Sequence, residues 1–473
     1  MAVGSSNSFD LVVLGAGTGG YAAAFRASQL GLRVALVDEG KIGGTCLHRG
    51  CIPTKALLES AAVVQRVAHA ADFGVNVPGA AVIDYAKVAQ RRDMVVNRMW
   101  KGLGSLVKKY NVTWVEGRGR LDGAHKVRVR GVDANEVILE ATDVILATGS
   151  RVKSLPGITP DGVRIVTSDD VLRMSTLPRS VIVIGAGAVG VEFASFYHDM
   201  GAAVTLLEYL SAVVPLEDVE VSRELERTFT RRGIKVMTSA RFDPASVLAG
   251  DEGVRITVGP DGGQAEEMAA EMLLVAAGRA ANVEDVGLET TAAEVDRGIV
   301  KVDGLMRTRE PHLYAIGDIV GGLQLAHTAA HEGMIAAHVI AGEQDVHPMD
   351  YVRQPRATYC RPEIASVGLT QQQCEAQGIP VKVGKVPFQA VGKAIIGGEY
   401  EGFAKIVGHA ETDETLGVHI IGPHATDLIA EASVALSLEA TPWEIGAATH
   451  AHPTLSEVLG EAAMAVDGRS INF

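Results

Sequence analysis

Cys46 and Cys51 stand five positions apart in the stretch GGTCLHRGCIPTK, and they are two of only four cysteines in 473 residues. Thiols placed this close can be ordinary buried side chains, two ligands of a metal ion, or a pair that makes and breaks a disulfide during a reaction. Metal sites ordinarily use a C-x2-C spacing or a compact Cys/His cluster. No second matching pair exists here, since Cys360 and Cys374 are distant and differently spaced, and His48 is a lone imidazole between the two sulfurs. The metal reading is therefore set aside. A second candidate lies near the C-terminus, where ATHAHPTLSE gathers His450, His452 and Glu457. Imidazole has a pKa suited to proton transfer near neutrality, and a carboxylate on one ring nitrogen fixes the tautomer and raises the basicity of the other. The same residues also suit a plain His-Pro turn leading into a helix that starts around Thr454 and Ser456.

These groups need elements to hold them. The stretch after Cys51, IPTKALLESAAVVQRV, reads as a helix with Pro53 in its first turn. Cys51 is then expected at a helix N-terminus, where the positive dipole end lowers a thiol pKa and stabilises thiolate. Upstream, residues 9–38 read FDLVVLGAGTGGYAAAFRASQLGLRVALVD. The apolar run Leu11 to Leu14 predicts a buried parallel strand, Gly15, Gly17 and Gly20 a tight turn, and the alanine-rich stretch a helix. Arg33 to Val37 predicts a second strand, closed by Asp38. This is the G-x-G-x-x-G dinucleotide fingerprint in its strand–helix–strand context. Its glycines let the backbone approach a pyrophosphate, and the helix N-terminus offers N–H groups to it.

The pattern returns over residues 180–208, SVIVIGAGAVGVEFASFYHDMGAAVTLLE, with Gly185, Gly187, Gly190 and Glu208. The span from first glycine to acid is 23 positions in both copies, 15 to 38 and 185 to 208. A single fingerprint can be a glycine-rich turn and nothing more; two in matched context indicate two dinucleotides. Glu208 repels a 2′-phosphate and favours a free 2′-hydroxyl, and the residues after it are Tyr209, Leu210 and Ser211, with the next arginine at Arg223. The second site is therefore expected to take NAD. Two NAD sites would have no evident purpose, so the first is expected to take FAD, with electrons passing between the two. In that setting Cys51 thiolate can pass electrons to the flavin while Cys46 faces substrate, and the cysteine pair reads as a redox disulfide.

The formal charge of −14 and the absence of a Lys/Arg-rich run exclude a phosphate-backbone binder, so no nucleic acid is expected. Glycine and glutamate break every apolar run before it could span a bilayer, so no membrane is expected. The opening MAVGSSNSFD has neither the charged and apolar regions of a secretory signal nor the arginines of a transit peptide. A cytoplasmic protein is expected, where a disulfide is more often catalytic than structural.

The segment GGTCLHRGCIPTK resembles the active-site segment of the pyridine nucleotide–disulfide oxidoreductases, and the resemblance runs along essentially the whole chain. DVILATGS, residues 143–150, resembles the strand returning to the FAD domain, with Thr148 and Gly149 at the cofactor. LYAIGD, 313–318, resembles the segment whose aspartate, here Asp318, contacts FAD. MLLVAAGRAAN, 272–282, with Gly278, resembles the end of the NAD domain. HAHPTLSE is most like the members that oxidise dihydrolipoamide.

The resemblance implies an α/β fold with two Rossmann-like dinucleotide-binding domains and a C-terminal α/β dimerisation domain. It implies FAD over residues 1–150 and 283–350, NAD over 151–282, and an interface domain over 351–473. It makes His452 the base, oriented by Glu457 and donated across a homodimer, with His450 in support. It pairs Lys55 with Glu192 near the flavin. The implied reaction oxidises protein-bound dihydrolipoamide through Cys46 and Cys51, with NAD as final acceptor. The implied partners are lipoyl-bearing subunits of 2-oxo acid dehydrogenase or glycine-cleavage complexes.

The chain departs from this pattern in places. His48 and Arg49 stand between the cysteines where Asn-Val is usual, Asp38 stands where Glu is commoner with Glu39 beside it as a substitute, and Thr328 stands where lysine is common. His48 and Arg49 keep a reductase of another low-molecular-weight disulfide, or of a mercuric-type substrate, as the alternative. A flavoprotein that serves mainly as a docking subunit is a third reading.

Overall fold

The computed structural model describes residues 7–79, 81–260 and 263–473; part of the N-terminal stretch considered above, residues 1–6, lies outside them. The chain divides into two compact units. The first gathers residues up to Ala56, Lys87–Lys153 and Arg279–Tyr351, and the second Leu57–Ala86, Ser154–Gly278 and Val352–Phe473.

In the first unit the strand Ser8–Leu14 is central. Leu11, Val12 and Val13 are fully buried, as a strand covered on both faces requires. It pairs in parallel with Val34–Asp38 on one side and with Glu136–Leu146 on the other. Thr113–Glu116 extends the sheet beyond Val34–Asp38, and Leu313–Ala315 pairs in parallel with Glu136–Leu146. The antiparallel strands Lys126–Arg130 and Arg118–Leu121 complete it. The helix Thr18–Gln29 packs closely on the helix Ala326–Ile340. Small residues allow this: a Cβ on Gly19 would lie 2.9 Å from the Ala329 carbonyl oxygen, and one on Gly333 would lie 2.6 Å from that of Gly19.

The second unit repeats the parallel theme. Ser180–Ile184 pairs in parallel with Ala203–Leu207 and with Met272–Val275, and Lys235–Met237 and Ile165–Thr167 form the edges. An antiparallel sheet built around Gly253–Pro260 joins Ala240–Phe242, Leu248–Gly250 and Glu266–Ala270. A third sheet, of five antiparallel strands, runs Arg356–Thr358, Glu363–Gly368, Thr415–Gly422, Phe403–His409, Val381–Pro387. The helices Ala425–Ser437 and Glu457–Ala465 cover it through a core that includes Val367, Ile406, Ile420, Ile429 and Leu459. Within this unit Lys405, wholly buried, pairs with the wholly buried Asp218 at 3.0 Å and with Glu220 at 2.8 Å, so loss of the lysine would leave a carboxylate stranded in the core.

Candidate active site

The first glycine loop leaves the central strand with Gly15 at φ +108°, where a Cβ would sit 2.2 Å from the Ala147 carbonyl oxygen. A Cβ on Gly20 would lie 1.9 Å from the Gly15 carbonyl oxygen. Only glycine fits at either position. Gly17 differs: its nearest neighbour to an added Cβ is the Gly44 Cα at 4.0 Å, so the middle of the loop offers room for a ligand's phosphates. Asp38 ends the second strand, where its carboxylate accepts the Ala16 N–H at 2.7 Å and the Gly40 N–H at 2.8 Å. Glu39 beside it is exposed.

The chain then returns to this loop with Gly43 and Gly44 and enters a short helix, Gly44–Arg49, that carries Cys46. Cys51 opens the following helix, Cys51–Ala68. The sequence therefore placed Cys51 correctly at a helix N-terminus. The two sulfurs are thiols joined by a hydrogen bond. That bond to Cys51, with burial second, pushes the Cys46 thiol up, while Thr18 and the positive Lys55 act the other way. Cys51 opens its helix, where the positive end of the dipole favours negative charge on its sulfur. Tyr21 is also pushed up, chiefly by burial, and both cysteines contribute. His48 donates from Nε2 to the Ile42 carbonyl at 2.9 Å, which ties the cysteine segment to the preceding loop; Arg49 is exposed.

Thr148 and Gly149 follow the strand Glu136–Leu146. The Thr148 hydroxyl donates to the Asn282 carbonyl at 2.8 Å, and the Asn282 N–H donates to the Gly149 carbonyl at 2.9 Å. Asp318 lies in a turn, Gly317–Val320, and accepts the Ser150 hydroxyl, which in turn accepts from Arg279 Nε at 2.6 Å. Behind this turn, buried Glu332 accepts the Gly317 N–H at 2.5 Å and the Tyr351 hydroxyl at 2.8 Å, and burial raises its pKa. The Thr328 hydroxyl, in the first turn of Ala326–Ile340, is buried and has no partner among the described residues. A roomy middle glycine, a fixed acid at the strand end and an orphan buried hydroxyl at a helix start together fit a dinucleotide such as FAD.

The second loop matches the first. Gly185 has φ +99° with a Cβ position 2.5 Å from the Ala276 carbonyl oxygen, Gly190 would clash at 1.7 Å with the Gly185 oxygen, and Gly187 meets nothing within 4 Å. Glu208 accepts the Ala186 N–H at 2.6 Å and the Leu210 N–H at 2.8 Å. Glu192, buried in the helix Ala188–Asp199, accepts the Tyr359 N–H at 2.9 Å. Gly278 follows the strand Met272–Val275 at φ +98° with open space at its Cβ position, so this loop too fits a dinucleotide.

Also in the second unit, His452 donates from Nδ1 to Glu457 at 2.8 Å, and Glu457 accepts the Thr454 N–H at 2.9 Å. The bond from His452, then that from Thr454, holds the Glu457 carboxyl below its ordinary range. The imidazole itself is 78% exposed. His450 is tucked away instead, 11% exposed, and donates to Glu431 at 2.8 Å.

A family model described as pyridine nucleotide-disulphide oxidoreductase matches residues 9–333, and that family's dimerisation-domain model matches residues 354–463. The chain belongs to the pyridine nucleotide-disulphide oxidoreductase family. Members of this family are disulfide oxidoreductases that use FAD and NAD. The chain is 46% identical to dihydrolipoyl dehydrogenase of Bacillus subtilis, over 98% of this chain and 99% of that protein. It is 42% identical to the dihydrolipoyl dehydrogenase of Zymomonas mobilis over the same shares. The crystal structure of LpdA from Mycobacterium tuberculosis is 30% identical with a TM-score of 0.88, covering 96% of this chain and 98% of that one. The α/β architecture expected from the sequence is the one found. No helix among the described residues is long and apolar enough to cross a membrane.

Sequence reading missed several neighbours of these groups. Thr18 and Tyr21 lie within and just after the fingerprint itself, and that position was the available signal. Ser150, Glu332, Tyr351 and Glu431 reach the site only through tertiary packing and carry no local signature.

Proposed function

We propose that this protein oxidises dihydrolipoamide to lipoamide and passes the electrons to NAD⁺. The observation that carries the reading is the cysteine pair, two thiols side by side with Cys51 at a helix N-terminus, seated against the first glycine loop. The relatives named dihydrolipoyl dehydrogenase, matched over almost their whole length, support the substrate.

In the oxidised enzyme Cys46 and Cys51 form a disulfide. His452 Nε2 takes the proton of one dihydrolipoamide thiol, with Glu457 holding the opposite nitrogen. The substrate thiolate attacks Cys46 Sγ, the Cys46–Cys51 bond breaks, and Cys51 leaves as thiolate. The second substrate thiol attacks the mixed disulfide and its proton passes to the Cys46 sulfur as that sulfur is released, so lipoamide departs and the pair holds two electrons, with the first proton on His452. FAD, held at the first glycine loop beside Cys51, would supply the two-electron acceptor that links the thiol pair to NAD⁺ at the second loop. Gly15, Gly17, Gly20, Asp38, Thr148, Gly149 and Asp318 hold FAD, with Glu39 beside them. Gly185, Gly187, Gly190, Glu192, Glu208 and Gly278 hold NAD. Lys55, close enough to act on Cys46, supplies positive charge for the electron-rich pair.

The domains are assigned as FAD-binding over 1–150 and 283–350, NAD-binding over 151–282 and dimerising over 351–473. The exposure of His452 supports its use by the cysteine pair of the partner in a homodimer. Lipoyl-bearing subunits of 2-oxo acid dehydrogenase or glycine-cleavage complexes are the fitting partners, and the reducing cytoplasm is the fitting compartment for a cycling thiol pair. The test compares turnover of dihydrolipoamide with NAD⁺ by the FAD-loaded protein and by its Cys46→Ser and His452→Gln variants. Cys46→Ser is expected to abolish it and His452→Gln to lower kcat by about 10²–10⁴-fold. Full activity in Cys46→Ser would refute the mechanism.

A further inference from the structure

The fold brings a cation against Tyr209, the residue after Glu208, from a part of the chain well beyond it. Residues 237–240 run alongside the end of the strand Ala203–Leu207 and the Glu208 that follows it. The Glu208 N–H donates to the Met237 carbonyl, the Ala240 N–H to the Glu208 carbonyl and the Ser239 N–H to the Leu210 carbonyl, each at 2.8 Å. This pairing sets Arg241 against Tyr209. Arg241 Nη1 donates to the Tyr209 carbonyl at 2.7 Å and to the Ala240 carbonyl at 3.2 Å, and its Cζ lies 3.8 Å from the centre of the Tyr209 ring. Two hydrogen bonds and a stacked ring fix the guanidinium. Tyr209 is 65% exposed and Arg241 half-buried, so the pair lies near the surface.

The Glu208 carboxylate is fixed as well, by the N–H groups of Ala186 and Leu210. An anion tied to the glycine loop and a cation stacked on the next residue are therefore held at adjoining positions. The carboxylate suits a ribose diol and repels phosphate; a guanidinium suits phosphate, which it can bind with two parallel hydrogen bonds. Reading forward from Glu208, the first arginine is Arg223, and Arg241 is too far along the chain to attract notice.

We infer that Arg241 is a second determinant of nucleotide choice: Glu208 sets the preference for an unphosphorylated ribose, and Arg241 becomes the ligand of a 2′-phosphate once the Glu208 carboxylate is neutralised. The inference rests on the reading of the second loop as the NAD site. On the competing view, Arg241 only braces Tyr209, and its removal would weaken phosphorylated and unphosphorylated nucleotides alike.

The experiment uses the FAD-loaded protein, its Glu208→Gln and Arg241→Ala variants and the double variant. Calorimetric titration with 5′-ADP and with 2′,5′-ADP is run beside kcat/KM for NAD⁺ and NADP⁺. Glu208→Gln is expected to tighten 2′,5′-ADP by about ten- to a hundredfold, and Arg241→Ala in that background to return it to within about threefold of the starting protein. The gain should shrink as salt is raised. Where Arg241→Ala fails to fold, Arg241→Gln removes the charge, retains donors for the Tyr209 carbonyl, and allows the same comparison. A double variant that binds 2′,5′-ADP as tightly as Glu208→Gln overturns the inference. If 5′-ADP binds but Glu208→Gln gains nothing for 2′,5′-ADP, Arg241 alone is misjudged. If the starting protein binds neither 5′-ADP nor NADH, the nucleotide site itself is misread and the inference falls with it.

Discussion

The two glycine loops are near copies of each other down to their hydrogen bonds. In the first, Asp38 accepts the N–H of Ala16 and of Gly40; in the second, Glu208 accepts the N–H of Ala186 and of Leu210. In both, the acid ties back to the residue after the first glycine and to the residue two beyond itself. A shorter aspartate does in one what a glutamate does in the other. The loops differ in what the chain does next. After Asp38 it returns through Gly43 and Gly44, whose Cβ position would lie 2.5 Å from the Gly17 Cα, and delivers the cysteine pair. After Glu208 it presents Tyr209 with Arg241 stacked on it. On the proposed assignment, one cradle serves the redox pair and the other holds the nucleotide that takes the electrons. The shared motif specifies that a dinucleotide binds; the segment that follows specifies what is done with it.

The sharpest break is chemical and confined to the first loop. Cys51→Ser removes the sulfur favoured to carry charge, and dihydrolipoamide turnover should fall by about 10⁴-fold or more, with the flavin spectrum and NADH binding retained. Loss of NADH binding in the same variant would show that the two sites are not separable.

A mirrored pair of substitutions comes next. Gly20→Ala drives a methyl to 1.9 Å from the Gly15 oxygen, and Gly190→Ala drives one to 1.7 Å from the Gly185 oxygen. Each overpacks its loop at a cost of about 1–3 kcal/mol or more. Gly20→Ala should purify with little or no FAD. Gly190→Ala should keep FAD and raise KM for NAD⁺ by about tenfold or more. Equal loss of flavin in both would contradict the assignment of one nucleotide to each loop.

Smaller effects are expected where the acids lose charge but keep their size. Asp38→Asn and Glu208→Gln each leave one backbone N–H without its carboxylate acceptor, worth about 1–3 kcal/mol. Thermal release of flavin should drop for Asp38→Asn alone, and NAD⁺ affinity for Glu208→Gln alone.

The smallest effect lies away from both loops. His452 and the Thr454 N–H depress the Glu457 pKa, so its ionised form adds stability that is present above the unfolded-state value near 4.5 and is lost as pH falls through the lower folded value. Glu457→Gln should remove this acid-side dependence. Below about pH 4.5 its melting temperature should converge with that of the unmodified protein, after trailing it by about a degree or two at neutral pH.

Much of the site was legible because its signals are local. Gly15, Gly17, Gly20 and Asp38 declare themselves through spacing alone, and Pro53 in a first turn marked Cys51 as a helix start. His452 and Glu457 were legible as a pair because five residues of chain suffice to bring them to 2.8 Å. What escaped was assembled at long range. The Glu332–Tyr351 bond behind Asp318, the Glu431 partner of His450 and the stacking of Arg241 on Tyr209 depend on elements meeting in space, and no periodicity or composition reports such a meeting. Thr18 stands at a position that the motif leaves open and Tyr21 just after its last glycine, so the spacing of the glycines reports neither. His48, read from sequence as a possible change of substrate, is engaged with the Ile42 carbonyl and so has a structural task.

The most direct measurement is a single turnover. The FAD-loaded protein, free of oxygen, receives dihydrolipoamide until its flavin and thiol signals stop changing, then NAD⁺ or NADP⁺ in parallel. The account predicts prompt formation of NADH in proportion to enzyme with NAD⁺, a much slower response with NADP⁺, and neither in the Cys46→Ser protein. A flavin that dihydrolipoamide leaves untouched, or NADH formed equally well without Cys46, would contradict it.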